Sequence, residues 1–142
     1  MKDHLSHKEW ITIYRKVPRL CVDLVIKDRR GVVLAKREST YGTGKWNLPD
    51  GSILYREKIE NAVKRKAKEE TGLEVKIVKF LGVYEYQLKG NFGHPISLCF
   101  LCRPIGGNLH GYKYGRDVRF FKKLPKIGFT QINVIKGKGM LV

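Results

Sequence analysis

The sequence has few acidic residues and few cysteines. Its 13 Asp and Glu residues stand against 29 Lys and Arg residues, which gives a formal net charge of +16. Three cysteines, Cys21, Cys99 and Cys102, are an odd number in apolar stretches, which favours reduced core thiols over a disulfide framework. Cys99 and Cys102 are three residues apart in a strand-like run, so they point to opposite faces. This spacing argues against a shared metal or redox site.

Long apolar runs are also missing. No run approaches the roughly 18 residues that a membrane-spanning helix needs, and residues 1–10 lack the apolar core of a signal peptide. A length of 142 residues with 42% hydrophobic content is the size of one ordinary domain. We therefore predict a single domain over residues 1–142 that is not associated with a membrane and is located in the cytoplasm.

The excess of basic residues is spread over the whole chain instead of forming a tail. A surface of this charge attracts the phosphates of nucleotides or of nucleic acid. A lysine-rich solvated surface, common in heat-adapted proteins, is the alternative explanation. The charge therefore leaves three interpretations open: a surface that binds nucleotides, a surface that binds nucleic acid, and a solvated surface without such a partner.

The order of predicted elements indicates a layered domain. Ser6 and Glu9 form a capping-box signature that predicts a short helix over residues 6–17, before Pro18. Glu57 to Thr71 has apolar residues at helical spacing, and Gly72 is placed as its C-cap. Strand-like runs occupy 19–26, 31–37, 74–81, 83–88, 95–104 and 117–121. This order predicts an α+β domain of the α/β/α type.

The predicted central helix also contains the candidate catalytic and metal-binding residues. Lys66 lies three and four residues before Glu69 and Glu70, so the three charged groups reach the same side of the helix. A carboxylate at position 66 would complete an oxygen cluster that holds Mg²⁺ or Mn²⁺ against phosphates. With Lys66 there are two hypotheses: its ammonium pairs with the glutamates, or it contacts a phosphate in place of part of a cation.

The segment 51–73 resembles the Nudix box, GxxxxxE, seven residues, REUxEExGU, in which U is a bulky aliphatic residue. The matching residues are Gly51, Glu57, Arg65, Glu69, Glu70, Gly72 and Leu73, with Ala67 at the first U. The resemblance implies a Nudix-like α/β/α sandwich with a mixed central sheet. It also implies a hydrolase of a nucleoside diphosphate linked to another moiety, dependent on Mg²⁺ or Mn²⁺.

The resemblance also implies roles for individual residues. Gly51, Glu57, Arg65 and Gly72 would be structural, with Glu57 and Arg65 as an ion pair. Glu69 and Glu70 would hold metal, with Glu70 also catalytic. Asp50 stands at a glycine whose main-chain carbonyl typically helps to hold that metal.

Residues 14–37 resemble the N-terminal part of the GDP-mannose mannosyl hydrolase branch of this family. The branch implies a nucleotide sugar as the first substrate to consider, bound by Asp23 and by Arg37, which would also assist the reaction. This chain departs from the family at Lys66, where most members have a glutamate. It departs from the branch at Tyr114 and Gly115, where a metal ligand and a catalytic histidine are expected.

The remaining candidates stay open. His94 or His110 could replace the missing base, although loop histidines are commonly only solvated. Trp46 and Tyr84 could stack a nucleobase or belong to the core. Residues 130–142 are a weak candidate for a C-terminal helix, and family members often form homodimers.

The second hypothesis is that the chain is a catalytically silent Nudix-fold module, which binds nucleotide or RNA through the basic surface.

Overall fold

The computed structural model describes residues 5–36, 45–86, 93–111 and 117–125. Within these ranges the chain forms two helices and seven strands. They are α1 His7–Tyr14, β1 Arg19–Asp28, β2 Gly31–Lys36, β3 Trp46–Asn47, β4 Asp50–Ser52, α2 Ile59–Thr71, β5 Leu73–Glu85, β6 Pro95–Gly107 and β7 Val118–Phe121. Arg37, Tyr114, Gly115 and the predicted C-terminal helix lie outside the described residues.

The strands form one mixed sheet with β1 at its centre. β1 runs parallel to β6 over Arg19–Ile26, and β5 pairs antiparallel with β6. On its other side, β1 pairs antiparallel first with β4 and then, at its end, with β2. β2 in turn lies between β3 and β7. The predicted α+β class and mixed sheet are confirmed, and the segment that begins the box is attached directly to the central strand.

Helix α2 covers one face of this sheet, which we call the helix face. Its apolar residues Ala62, Val63 and Ala67 are fully buried against alternate residues of β1, as the spacing predicted. The helix begins after Lys58, whose backbone is extended, so Glu57 lies in the preceding loop and not in the helix as predicted. It ends at Gly72, which adopts the left-handed conformation of a C-cap with φ of 76°.

Helix α1 lies outside the core. The predicted capping box is present, since Ser6 and Glu9 exchange side-chain to backbone hydrogen bonds. The helix ends at Tyr14, three residues before the predicted boundary, and none of its residues is buried. The Arg19 guanidinium lies 5.1 Å from the centre of the Trp10 ring, which links the helix to β1. No helix of the described residues is long and apolar enough to cross a membrane.

One boundary in the predicted strand pattern is wrong. The runs 74–81 and 83–88 were expected to be separate strands, but Leu73–Glu85 is a single strand. Gly82, at φ of 138°, marks a register shift in the pairing with β6 instead of a break. A glycine inside a strand can accommodate such a bulge because it has no Cβ.

The cysteines pack as predicted, as free thiols on both faces of the sheet. All three are buried. Cys102 belongs to the cluster under α2, and Cys99 belongs to the equally buried cluster on the other face, which we call the second face. Burial raises the pKa of Cys21 to about 11 and that of Cys102 to about 12. Thiols with such pKa values are poor nucleophiles at neutral pH.

Candidate functional site

Arg65 joins α2 to the loop that follows β4. Its Nε atom donates to Glu57 Oε2 at 2.8 Å, and its Nη2 atom donates to Glu57 Oε1 at 3.0 Å and to the Ser52 carbonyl at 2.9 Å. Glu57 Oε1 also accepts from the Leu54 backbone N–H at 3.1 Å. These bonds fix the loop against the first half of the helix, so the ion pair expected from the box is present.

The pair is largely removed from water, since the side chain of Glu57 is 3% exposed and that of Arg65 is 15% exposed. Hydrogen bonds from Arg65 lower the pKa of Glu57, and the same bonds raise the pKa of Arg65. Both groups are therefore charged at neutral pH, and each depends on the other for compensation of its burial.

The ammonium of Lys66 lies between the two adjacent glutamates. Its Nζ atom is 3.1 Å from Glu69 Oε2 and 3.1 Å from Glu70 Oε1. Burial of Lys66 disfavours its charged form, but the attraction of Glu70 and Glu69 outweighs this and raises its pKa. Glu69 also accepts a hydrogen bond from Arg65 Nη1 at 3.2 Å. The ion pairing that the helical spacing predicted is therefore present.

Gly51, the first residue of the box, makes room for Lys66. It pairs with Val22 of β1 and so faces α2. A Cβ built on Gly51 would lie 2.1 Å from Cε and 2.8 Å from Nζ of Lys66. Real Cβ contacts are not this short, so a larger residue would displace the lysine side chain.

The described residues do not form a site for a divalent cation between Glu69 and Glu70. Asp50 pairs directly with Asp23, and directly paired residues of antiparallel strands share a face, so the Asp50 side chain points to the second face. The described ranges contain no group of three His, Cys, Asp or Glu residues that could hold a metal. An ammonium already stands between Glu69 and Glu70. The metal roles of Glu69, Glu70 and Asp50 therefore stay predictions.

Asp23 has the polar partners that a buried carboxylate needs. It is 1% exposed, and it accepts hydrogen bonds from the Tyr86 hydroxyl at 2.7 Å and from the Ser97 hydroxyl at 3.1 Å. Burial and the charge of Asp23 raise the pKa of Tyr86 well above its usual range. Sequence reasoning missed both partners, although Ser97 was visible as a polar residue inside an apolar strand. The substrate-binding role of Asp23 stays a prediction.

Replacing Tyr86 with Phe is expected to lower the free energy of unfolding by about 1–3 kcal/mol, because the Asp23 carboxylate then loses a hydrogen bond from a hydroxyl, and hydrogen bonds to charged groups contribute about this much. Urea denaturation at pH 7 measures the change. Tyr55→Phe is the control, since Tyr55 is 89% exposed. Equal stabilities of the two variants would show that the hydroxyl of Tyr86 does not compensate the burial of Asp23.

The histidines that were considered as bases lie apart from one another. His94 pairs with Glu85 at 2.5 Å. The His110 backbone N–H donates to the Thr71 carbonyl at 2.9 Å, just past the end of α2. The assignment of either as the base stays a prediction.

Trp46 and Tyr84 lie at the edge of the core on the second face. Both are partly buried against it, and Trp46 packs edge-on against Phe121 with 4.8 Å between ring centres. This placement favours the core interpretation over nucleobase stacking. Arg37, the predicted diphosphate ligand, lies outside the described residues.

Comparison with known proteins relates the chain to one family. The NUDIX domain matches residues 17–122. The chain is 36% identical over 121 residues to the ADP-ribose pyrophosphatase of Methanocaldococcus jannaschii. The matched region spans 84% of this chain and 72% of that protein. It is 40% identical over 78 residues to the low-salt glycan biosynthesis protein Agl8 of Haloferax volcanii. That match spans 55% of this chain and 50% of that protein.

A solved structure confirms the predicted sandwich. The MutT NUDIX hydrolase from Burkholderia pseudomallei superposes with a TM-score of 0.74 at 22% identity, covering 84% of this chain and 97% of that chain. Together with the domain match over residues 17–122, the fold and the geometry of the box lead to one conclusion. The chain belongs to the Nudix hydrolase family.

Proposed function

We propose that this chain hydrolyses a nucleoside diphosphate linked to another moiety, either an ADP-ribose-like compound or a nucleotide sugar. The observation that carries the proposal is the 36% identity to a protein named ADP-ribose pyrophosphatase over 84% of this chain. The resemblance of residues 14–37 to the GDP-mannose branch supports a nucleotide sugar. ADP-ribose and GDP-mannose are therefore the first two substrates to test.

The described residues support this function through a fixed loop and a pair of carboxylates. The contacts of Arg65 with Glu57 and with the Ser52 carbonyl hold the loop against α2. Glu69 and Glu70 present their carboxylates from the last turn of that helix. In the proposal, Glu70 is catalytic, Asp23 binds the substrate, and Arg37 neutralises the diphosphate. A fixed loop reduces the cost of ordering the site when substrate binds.

Product analysis tests the proposal. The protein is incubated with ADP-ribose, GDP-mannose, nucleoside triphosphates and dinucleotides, each with Mg²⁺, with Mn²⁺ and with a chelator. We expect turnover of ADP-ribose or GDP-mannose above that of the triphosphates. A nucleoside monophosphate as product marks attack at phosphorus, whereas free sugar with a nucleoside diphosphate marks attack at carbon. No turnover of any compound by folded protein would refute the hydrolase proposal.

A second candidate function is a silent module that binds nucleotide or RNA. The observation that favours it is the ammonium of Lys66 between Glu69 and Glu70, together with the net charge of +16. Such a module would bind RNA with an affinity that falls steeply as salt rises. That affinity would survive Glu69→Gln and Glu70→Gln. The cytoplasmic location and the homodimer also stay predictions.

A further inference from the structure

Lys66 is a fixed part of the box and not a solvated surface lysine. Its side chain is only 14% exposed. It passes so close to Gly51 that a Cβ there would lie 2.7 Å from Cδ, 2.1 Å from Cε and 2.8 Å from Nζ. Most lysines keep a hydrated ammonium on a flexible stem. The absence of a side chain at Gly51 therefore allows this ammonium to occupy one defined position.

The two glutamates are already compensated by cations of the chain itself. Glu69 contacts both Lys66 at 3.1 Å and Arg65 at 3.2 Å, and Glu70 contacts Lys66 at 3.1 Å. A divalent ion approaching the same oxygens would be repelled by these cations at short range. The local charge therefore favours the ammonium over a metal ion at this position.

The ammonium retains a donor for a ligand. It has three N–H groups, and in the part of the chain that the structure describes two of them meet the carboxylates of Glu69 and Glu70. The side chains of Lys66 and Glu69 keep 14% and 31% exposure, so the pair lies at the boundary between the core and solvent. A charged donor at such a position suits a phosphate oxygen.

We propose that the ammonium of Lys66 acts as a tethered cation, standing between Glu69 and Glu70 in place of a divalent ion and donating its third N–H to a diphosphate oxygen. The inference rests on the proposed function for the class of ligand. The site then binds a nucleoside diphosphate when no divalent ion is present.

Calorimetric titration with ADP in the presence of a chelator tests this directly. Lys66→Met removes the charge and keeps an unbranched side chain. It is expected to weaken ADP binding about tenfold to a hundredfold, the usual range for a charged hydrogen bond. Lys64→Met is the matched control, since Lys64 lies on the same helix, is 52% exposed and pairs with Glu60. The control is expected to bind within about twofold of the unchanged protein.

A second measurement does not depend on Lys66→Met being folded. Manganese binding without nucleotide is followed by electron paramagnetic resonance in the unchanged protein and in Lys66→Glu. Lys66→Glu replaces the cation with a third carboxylate, so it is expected to bind Mn²⁺ at least about tenfold more tightly. If circular dichroism shows that Lys66→Met is unfolded, the comparison of manganese affinities tests the proposal in its place.

Two results would overturn the tethered cation. One is equal ADP affinity of the unchanged protein and folded Lys66→Met, and the other is equal manganese affinity of the unchanged protein and Lys66→Glu. If either occurs while ADP-ribose is still hydrolysed, the proposed function stands without it. If ADP binding depends on Lys66 and no substrate is turned over, the tethered cation stands and the hydrolase proposal fails.

Discussion

Replacing Arg65 with Met is expected to lower the free energy of unfolding by about 3–5 kcal/mol, the usual cost of removing one partner from a buried ion pair. Glu57, which is 3% exposed, then loses the guanidinium that compensates its charge. The Ser52 carbonyl loses its donor at the same time. Urea denaturation at pH 7 measures the change. Lys64→Met is the control, because the pair of Lys64 and Glu60 is exposed and 3.0 Å long.

The same variant has a characteristic pH dependence. Arg65 depresses the pKa of Glu57 below its ordinary value of 4.5. The stability gained from the pair is therefore fully present above pH 4.5 and is lost as pH falls through the pKa of the folded state. The difference between the unchanged protein and Arg65→Met should shrink below that pH. A difference that stays constant between pH 7 and pH 3, or one no larger than that of Lys64→Met, would contradict the assignment.

Glu70→Gln is expected to lower kcat by about 10²–10⁴ on whichever substrate the chain hydrolyses, the size of loss that is typical when one catalytic group is removed. The substitution keeps the shape of the side chain, which is 11% exposed and pairs with Lys66. Glu69 remains to hold the ammonium, so the fold is expected to persist. Steady-state kinetics at saturating substrate measures the effect, and thermal unfolding confirms that the variant is folded.

Glu60→Gln is the matched control for Glu70→Gln. Glu60 lies in the first turn of the same helix, is 66% exposed and contacts Lys64. Surface substitutions of this kind usually change the free energy of unfolding by less than about 0.5 kcal/mol, so Glu60→Gln is expected to keep the turnover of the unchanged protein. A folded Glu70→Gln variant with the turnover of Glu60→Gln would remove Glu70 from the catalytic residues.

The parts of the site that sequence reasoning predicted depend on local spacing. The pairing of Lys66 with Glu69 and Glu70 follows from positions three and four apart on a helix. The C-cap at Gly72 follows from a glycine after an amphipathic segment. Such features are determined by a few consecutive residues, so the spacing alone could reveal them.

The parts that were missed depend on register between distant segments. Tyr86 and Ser97 reach Asp23 across 63 and 74 residues of sequence, and only the pairing of β1, β5 and β6 brings them together. The close approach of Gly51 to Lys66 needs the packing of β4 under α2. The predicted division between the runs 74–81 and 83–88 was wrong because a glycine in a strand pattern, here Gly82, fits either a break or a bulge.

Because neighbouring residues of β4 lie on opposite faces of the sheet, the length of the segment before β4 matters as well as the identity of its residues. The Asp50 side chain lies on the second face, which it shares with its pairing partner Asp23, and the neighbouring Gly51 lies against Lys66 on the helix face. A one-residue slip exchanges the two faces of a strand. Inserting a single residue between Leu48 and Asp50 without restoring the register would move Asp50 into the place of Gly51, opposite Val22, and bring a carboxylate under α2. Gly51 would then take the place of Ser52, opposite Cys21. The number of residues between Leu48 and Gly51 therefore decides which side chain meets Lys66, independently of which residues they are.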